Sequence, residues 1–392
     1  MFEHLAEGFW QVGEKKFSRK FEALVYSSNN NLEEVKFKYF DEVWNSFDRT
    51  QLGKFSLNEL YKQRAQQLRD EYDYLILYFS GGADSYNALR SFLDNDIKLD
   101  EVCVKWAMSA IKAKIYSPNP NDTSSWNTLS EWDYAIKPVL DWLSKIHPEV
   151  KITIVDWSEN ISGNTYHENL FKKVNNFTDV EVPFMMSYTN SERRLVEQGK
   201  KVASIYGIDK PHIAFKDNKW FMGFIDAATS MGTPSDINPT GTEYFYWSPK
   251  FPILAFQQAH TFCSYIEKNE ELMKFFFNPE ANNWSIHTKF LSNQVRNDMA
   301  RSILYNNWTG AFQADKPIIA DREDKHFWIF HHPELTNAKE TFIDMNSLLL
   351  SQLDLSYVIP VLGNTSNKIR GIYRSYFSKW HFVKFKESIS SD

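Results

Sequence analysis

The sequence predicts an α/β protein: a doubly wound, mainly parallel sheet with N-terminal and C-terminal elaborations. Three observations carry this. Apolar runs of strand length recur at Tyr74–Phe79, Asp100–Trp106 and Lys151–Trp157. Helical patterns lie between and around them, and alternation of this kind implies parallel strands joined by crossovers. The first run ends directly in Ser80-Gly81-Gly82-Ala83-Asp84-Ser85, and Tyr86–Leu93 then reads as a helix. Residues 1–50 form the N-terminal elaboration, 51–235 the core and 236–392 a C-terminal mixed region for substrate or partner.

Composition narrows the function classes. The 392 residues carry a net charge of −6, which argues against a generally basic nucleic-acid binder but leaves room for a local basic patch. Aromatic residues make up 16%, so a core or a binding face is rich in rings. The two cysteines, Cys103 and Cys263, form no C-x-x-C pair, which excludes a zinc ribbon or a thioredoxin-like motif. Such low usage suits a reducing compartment. No apolar run approaches the roughly 20 residues of a membrane span. Met1–Leu5 lacks the features of a signal peptide, and the expected location is cytoplasmic.

Taken in order, Phe21–Tyr26 fits a helix or a strand, Ser27–Asn31 is a loop, and Val35–Phe40 alternates like an edge strand. From Ser56 the period is helical, with Leu57, Leu60, Tyr61, Ala65 and Leu68 on one face and a Ser56/Glu59 capping box. Lys62, Arg64 and Arg69 read as the solvated face of this helix. The strand, glycine turn and helix around Ser80 make an anion site. Glycines admit close approach, and the first N–H groups of a helix are unpaired and lie at its positive end. The loop lacks a Walker A ending.

Ser-Gly-Gly-x-Asp-Ser after a strand resembles the PP-loop of the ATP pyrophosphatase superfamily, which includes the synthetase domains of asparagine, GMP and NAD synthetases. The run from Leu60 to Ser85 is also similar to PP-loop proteins of large tailed phages. The resemblance implies ATP cleaved between its α and β phosphates, with Mg²⁺. It implies Ser80, Gly81, Gly82 and Ser85 as the pyrophosphate cradle, and Asp84 as a metal-positioning or helix-capping acid. By the same resemblance the adenine lies near the end of the second strand, at Lys105, Trp106 and Ala107, with Trp106 either stacking on the ring or simply core. Asparagine synthetase-type enzymes with a built-in glutaminase carry Cys after the initiator Met. Phe2 stands there, so ammonia, an amine or a partner would supply nitrogen.

Beyond the loop, Tyr116–Trp126 is a long polar connection, and Pro138 opens or kinks a helix through Leu143. Asp84, Lys105 and Asp156 all fall near the carboxyl edge, where ligands of such sheets bind. Ser191–Tyr206 reads as a helix with Gly199 in its middle and Gly207 at C′, carrying Arg193, Arg194, Lys200 and Lys201. Lys210 is a second phosphate contact, with a catalytic role beside Asp84, or a solvated turn lysine. His212–Phe215 and Trp220–Phe224 form a hairpin. Ala227–Gly241 is a loop and a candidate boundary or lid, and Glu243–Lys250 is strongly aromatic. Pro252 opens a helix on which Gln257 and His260 form a polar substrate face or a structural one. Helices are also expected over 294–307 and within 336–353. His326, His331 and His332 have no zinc spacing. The tail 368–386 interleaves Lys368, Arg370, Arg374, Lys379, Lys384 and Lys386 with aromatics, which suits a nucleic-acid contact or a blunted edge strand.

Three functional classes follow. The first is an ATP-dependent ligase or transferase that adenylates an acceptor oxygen for a nitrogen nucleophile, on a small molecule or a nucleobase. The second is a sulfur-transfer or nucleic-acid-modifying member of the same superfamily, and the third a nucleotide-binding sensor or partner without turnover.

Overall fold

The structure is a computed structural model. It describes residues 8–17, 20–30, 34–106, 108–112, 131–156, 190–208, 210–226, 241–276, 300–305 and 378–386. β1 (Phe9–Val12), β2 (Lys15–Phe17) and β3 (Val35–Lys38) form an antiparallel sheet in the order β2-β1-β3. Between β2 and β3 lies α1 (Lys20–Asn29), so Phe21–Tyr26 is helix. The Lys20 ammonium and the Asp226 carboxylate form a buried ion pair at 3.0 Å, and Trp10 Nε1 also donates to Asp226.

After α2 (Asp41–Ser46) comes α3 (Leu57–Glu71). Its capping box forms as expected: Glu59 N donates to Ser56 Oγ, and Ser56 N donates to the Glu59 carboxylate. Leu57, Leu60, Tyr61, Ala65 and Leu68 are buried. Lys62 is exposed, but Arg64 is 0% exposed, which overturns its place on a solvated face. Its guanidinium donates to Glu243 at 2.8 Å, to the Tyr244 and Phe245 carbonyls at 3.0 and 3.3 Å, and to Gln67 at 2.9 Å. Arg69 is likewise engaged, pairing with Asp100 at 2.6 Å.

The remaining elements build two sheets. β4 (Tyr74–Tyr78), α4 (Ala83–Leu93), β5 (Glu101–Trp106) and the short α5 (Met108–Lys112) come first. A π-helical turn, Trp132–Ile136, runs into α6 (Lys137–Ile146), whose first turn holds Pro138. β6 (Lys151–Asp156), α7 (Asn190–Glu197) and β7 (Val202–Tyr206) follow. Next are β8 (His212–Lys216), β9 (Lys219–Gly223), β10 (Gly241–Tyr244), α8 (Pro252–Glu267), α9 (Glu270–Phe276) and β11 (His381–Phe385). The main sheet has the order β10-β7-β4-β5-β6, and every pairing in it is parallel. The chain starts at its centre, lays β5 and β6 outward on one side, then returns to place β7 and β10 on the other. The fold is therefore α/β with a five-stranded parallel sheet. The sheet reaches past residue 235, because β10 belongs to it.

Helices cover both faces. Leu75, Leu77, Val102, Val104, Ala203 and Ile205 join one core with α3 and α4, and that core extends from Trp10 to Val383. Ile76, Cys103 and Val202 form a smaller cluster on the other face with Leu195 and Val196 of α7. β8 and β9 make the expected hairpin around Asp217 and Asn218, both left-handed as a two-residue turn of this hand requires. β11 adds to its edge in the order β11-β9-β8.

The helix read over 191–206 is corrected to a helix, a cap and an interior strand. Gly199 takes φ +79°. Lys200 N donates to Leu195 O and Gly199 N to Val196 O, the paired bonds of a Schellman cap. The chain then re-enters the sheet as β7, so Lys200 and Lys201 are not on the helix, while Arg193 and Arg194 are and are exposed. The expected features at 116–126, 227–240 and 336–353, the histidines 326, 331 and 332, and the tail before 378 lie outside the described residues. Of the helix expected over 294–307, residues 300–304 are described and are helical. Among the described residues, no helix is long and apolar enough to cross a membrane.

Two predictions follow. Arg64→Leu takes the guanidinium away from Glu243 and from the Tyr244 and Phe245 carbonyls and leaves Glu243 to Tyr72 and Lys250, so stability falls by about 1–3 kcal/mol in denaturant unfolding. The buried His381 imidazole contacts Asn45 and stands 3.8 Å from Asp41. Burial outweighs the Asp41 charge and pushes its pKa down to about 4. Above pH ~6.5 the imidazole is neutral in both states. As pH falls from ~6.5 to ~4 the unfolded chain takes up a proton that the folded chain refuses, so stability drops by up to ~3 kcal/mol. Denaturant midpoints over that window are expected to slope less in His381→Gln than in the parent.

Candidate functional site

The strand order reverses between β4 and β7, and a doubly wound sheet opens its ligand crevice at the carboxyl end of such a point. The Ser80–Ser85 loop leaves β4 there. Gly81 has φ +76°, and a Cβ on it would stand 2.8 Å from Ile136 Cγ1, so the turn needs glycine on both counts. Gly82 is the N-cap of α4, and no side chain caps the helix. Asp84 therefore does not act as the helix cap. The N-terminal N–H groups of α4 face the crevice side of the fold with their positive dipole end.

The two serines differ. Ser85 is 4% exposed, donates to Gly82 O at 3.0 Å, and accepts from Ser80 N at 3.3 Å. It braces the turn from below. Ser80 is exposed at the rim; its hydroxyl lies 3.3 Å from that of Ser85 and accepts from Gly82 N at 3.4 Å. Gly207, expected to end a helix, instead follows β7 and packs on this turn. A Cβ there would lie 2.8 Å from Ser85 Cα and 2.9 Å from Ser85 N.

Asp84 is the hub of the constellation. The Lys210 ammonium pairs with its Oδ1 at 2.8 Å, and Lys210 is 7% exposed, so the solvated-turn alternative for this lysine falls. The Tyr305 hydroxyl donates to the same Oδ1. The Tyr246 hydroxyl donates to the Asp84 backbone carbonyl at 2.8 Å and accepts from Asn87 at 2.9 Å. Tyr61, held by Gln258, packs edge-on to Tyr246 and donates to Leu304 O. Burial, then neighbouring charge including that of Asp84, raises the pKa values of Tyr246 and Tyr305, which keeps these phenols neutral donors. Sequence reasoning missed Tyr61, Tyr246 and Tyr305 as site residues; only the aromatic density of 243–250 pointed toward one of them.

Lys105 and Trp106 are not brought to this hub. They occupy adjacent positions at the end of β5 and so face opposite sides of the sheet. Lys105 lies over the Tyr78 ring on the α7 face, where burial pushes its pKa down. Trp106 packs half-buried against the main core, and its Nε1 finds no acceptor among the described residues. Ala107 lies outside the described residues. Asp156 accepts from Met108 N at 3.1 Å, opposite Trp106. Gln257 is committed to structure, accepting from Gly53 N at 2.8 Å, and does not present a substrate face. Lys384 of the basic tail lies in β11 and is paired with Glu267.

Among the described residues, no three His, Cys, Asp or Glu side chains gather to hold a metal ion. One carboxylate of the loop, its Oδ1 already shared by Lys210 and Tyr305, suits only a magnesium ion that draws its other ligands from phosphate and water. Asp84 is the residue that would hold it.

Gly207→Ala sets a methyl group against the backbone of Ser85. It is expected to displace the Ser80–Ser85 turn and lower the thermal midpoint of unfolding by several degrees while the circular dichroism spectrum is kept. Comparison with models of protein families, with curated proteins and with solved structures finds no match for this chain.

Proposed function

We propose that the chain is a PP-loop ATP-using enzyme that forms AMP and pyrophosphate, adenylating an acceptor oxygen for attack by a nitrogen nucleophile. One observation carries this reading. The Ser80–Ser85 loop leaves the first and central strand of a parallel sheet at its switch point, with an uncapped helix N-terminus and a buried lysine fixed on its acid.

The chemistry asks the protein mainly for position and charge neutralisation. The acceptor oxygen bonds to the α-phosphorus as the bond from that phosphorus to the bridging oxygen breaks, and pyrophosphate leaves with the electron pair. In this reading the unpaired backbone N–H groups at the start of α4 and the Ser80 hydroxyl receive the pyrophosphate oxygens. Lys210 stands within hydrogen-bond reach of Asp84, so its charge lies at the same place. Magnesium, when bound with the nucleotide at Asp84, would add further neutralisation. Tyr246 and Tyr305 hold the first turn of α4 while this charge redistributes. A nitrogen nucleophile then attacks the activated carbon and releases AMP.

The cysteine-dependent sulfur-transfer alternative is disfavoured by burial of both thiols. Burial pushes the Cys103 thiol up to about 12 and raises that of Cys263. A non-turnover nucleotide sensor is the second reading, favoured by the loop hydroxyls bonding to their own turn. Purified protein with Mg²⁺ and α-labelled ATP, with and without cell extract, separates the two. AMP is expected from the parent, falling by ~10²-fold or more in Ser80→Ala/Asp84→Ala. ADP as product would overturn the reading, and ATP binding without any turnover would favour the sensor.

A further inference from the structure

On the face of the sheet opposite α4, three strand ends gather a second set of polar side chains. Tyr78 closes β4, Lys105 is the penultimate residue of β5, and Tyr206 closes β7. The two tyrosine rings stack, with centroids 4.7 Å apart and planes 6° from parallel. Lys105 Nζ lies over the Tyr78 ring, 4.3 Å from its centroid. Glu192 of α7 is buried, and its Oε1 accepts from the Tyr78 and Ser204 hydroxyls.

Lys105 is the unusual member. It is 9% exposed, yet its Nζ is not among the polar atoms cut off from solvent, so the ammonium keeps an open side for its three donors. Among the described residues its partners are the Tyr78 ring face and, at longer range, the Glu192 charge. Neither supplies an acceptor at hydrogen-bonding distance. A ring face attracts a cation without satisfying its N–H groups. A lysine kept only to balance Glu192 would be bonded to it, whereas hydroxyls take that carboxylate oxygen. The ammonium is thus held at the carboxyl edge, on the strand next to the one that feeds the Ser80 loop and two residues beyond the Tyr78–Cys103 pair. The α4 N-terminus and Lys210 serve the nucleotide from the loop side, so Lys105 is left for a different anion.

We propose that Lys105, set on the Tyr78–Tyr206 platform, binds a carboxylate of the acceptor, making the acceptor a small carboxylic acid. This rests on the nucleotide reading above, since a carboxylate is an oxygen nucleophile that the adenylation can use. One carboxylate oxygen bonds to the ammonium, and the other remains to attack.

The test measures thermal unfolding with succinate, acetate or inorganic phosphate, against chloride at matched ionic strength, for the parent, Lys105→Met and Lys105→Arg. Calorimetric titration with Mg²⁺ and ATP runs in parallel. Succinate or acetate is expected to raise the parent's Tm saturably by several degrees, to do so in part for Lys105→Arg, and to leave Lys105→Met unmoved. Lys105→Met without ligand should unfold no earlier than the parent and bind ATP within about twofold of it. A Tm for Lys105→Met more than about 5 °C below the parent would make Lys105 a structural counter-charge and overturn the proposal. So would a tenfold loss of ATP affinity, or stabilisation by phosphate alone, because either makes Lys105 a nucleotide contact. Carboxylates without effect on the parent overturn it as well. Lys105-dependent carboxylate binding in a parent that binds no ATP would remove the acceptor role through failure of the nucleotide reading, while the anion site itself would stand.

Discussion

The guanidinium of Arg64 ties α3 to the far end of the sheet. Its planar fork reaches Glu243 in β10 and the carbonyls of Tyr244 and Phe245 just beyond it. Glu243 is held a second and third time, by Tyr72 and Lys250 at 2.6 Å each. The residue after Phe245 is Tyr246, whose hydroxyl fixes the Asp84 carbonyl. A charge on α3 thus sets the position of the first turn of α4 through a segment that begins 179 residues downstream. Lysine could not replace it, because a point charge cannot address a carboxylate and two carbonyls in one plane. A buried ion pair need not add net stability. Here its geometric content is plain, since it fixes the register in which the aromatic segment meets the loop.

Around that constraint the site is assembled from distant pieces. Lys210 comes from the connection after β7, Tyr246 from the connection after β10, and Tyr305 from the described segment 300–305. Three phenols with raised pKa values stay protonated: Tyr246 and Tyr305 donate to Asp84, and Tyr61 to the Leu304 carbonyl next to Tyr305. The loop has little freedom left: Gly81 fits under Ile136, Gly207 lies against Ser85, and Ser85 bonds within the turn. Such preorganisation suits a site whose task is to receive charge without rearranging.

What the sequence revealed was local. The Ser56/Glu59 box, the strand–glycine–helix passage at Ser80 and the Asp217-Asn218 hairpin are each specified by a few adjacent residues, and each is legible. Arg64 was not, because its helix shows the right apolar period and the partner that buries it is 179 residues away. β7 was not, because Val202, Ala203 and Tyr206 continue a helical spacing from Leu195 and Val196. Only the left-handed Gly199 breaks that period, and a glycine within a helical pattern can be tolerated. Lys210 was legible as a candidate but not its partner, and Tyr305 had no motif around it at all. Contacts between remote segments leave no signature in a single chain unless the residue types are unusual.

Electrostatics singles out the carboxyl edge of the sheet. The chain is acidic overall, at −6, yet two lysines are buried on either side of the switch point. Low-dielectric walls strengthen the field of such charges compared with lysines in water. The two are not equivalent. Lys210 is already matched by Asp84 at 2.8 Å, so it positions without demanding a ligand. Lys105 has a ring face and a distant carboxylate, and its depressed pKa reflects the cost of burial. An incoming anion would relieve that cost on the Lys105 side, whereas on the Lys210 side it would share a cation with Asp84. On the proposed reading the carboxyl edge offers two anion environments of different character, one on each face of the sheet, one fixed by neutralisation and one left to be completed. That asymmetry is what a two-substrate reaction requires if each anion is to settle on its own side.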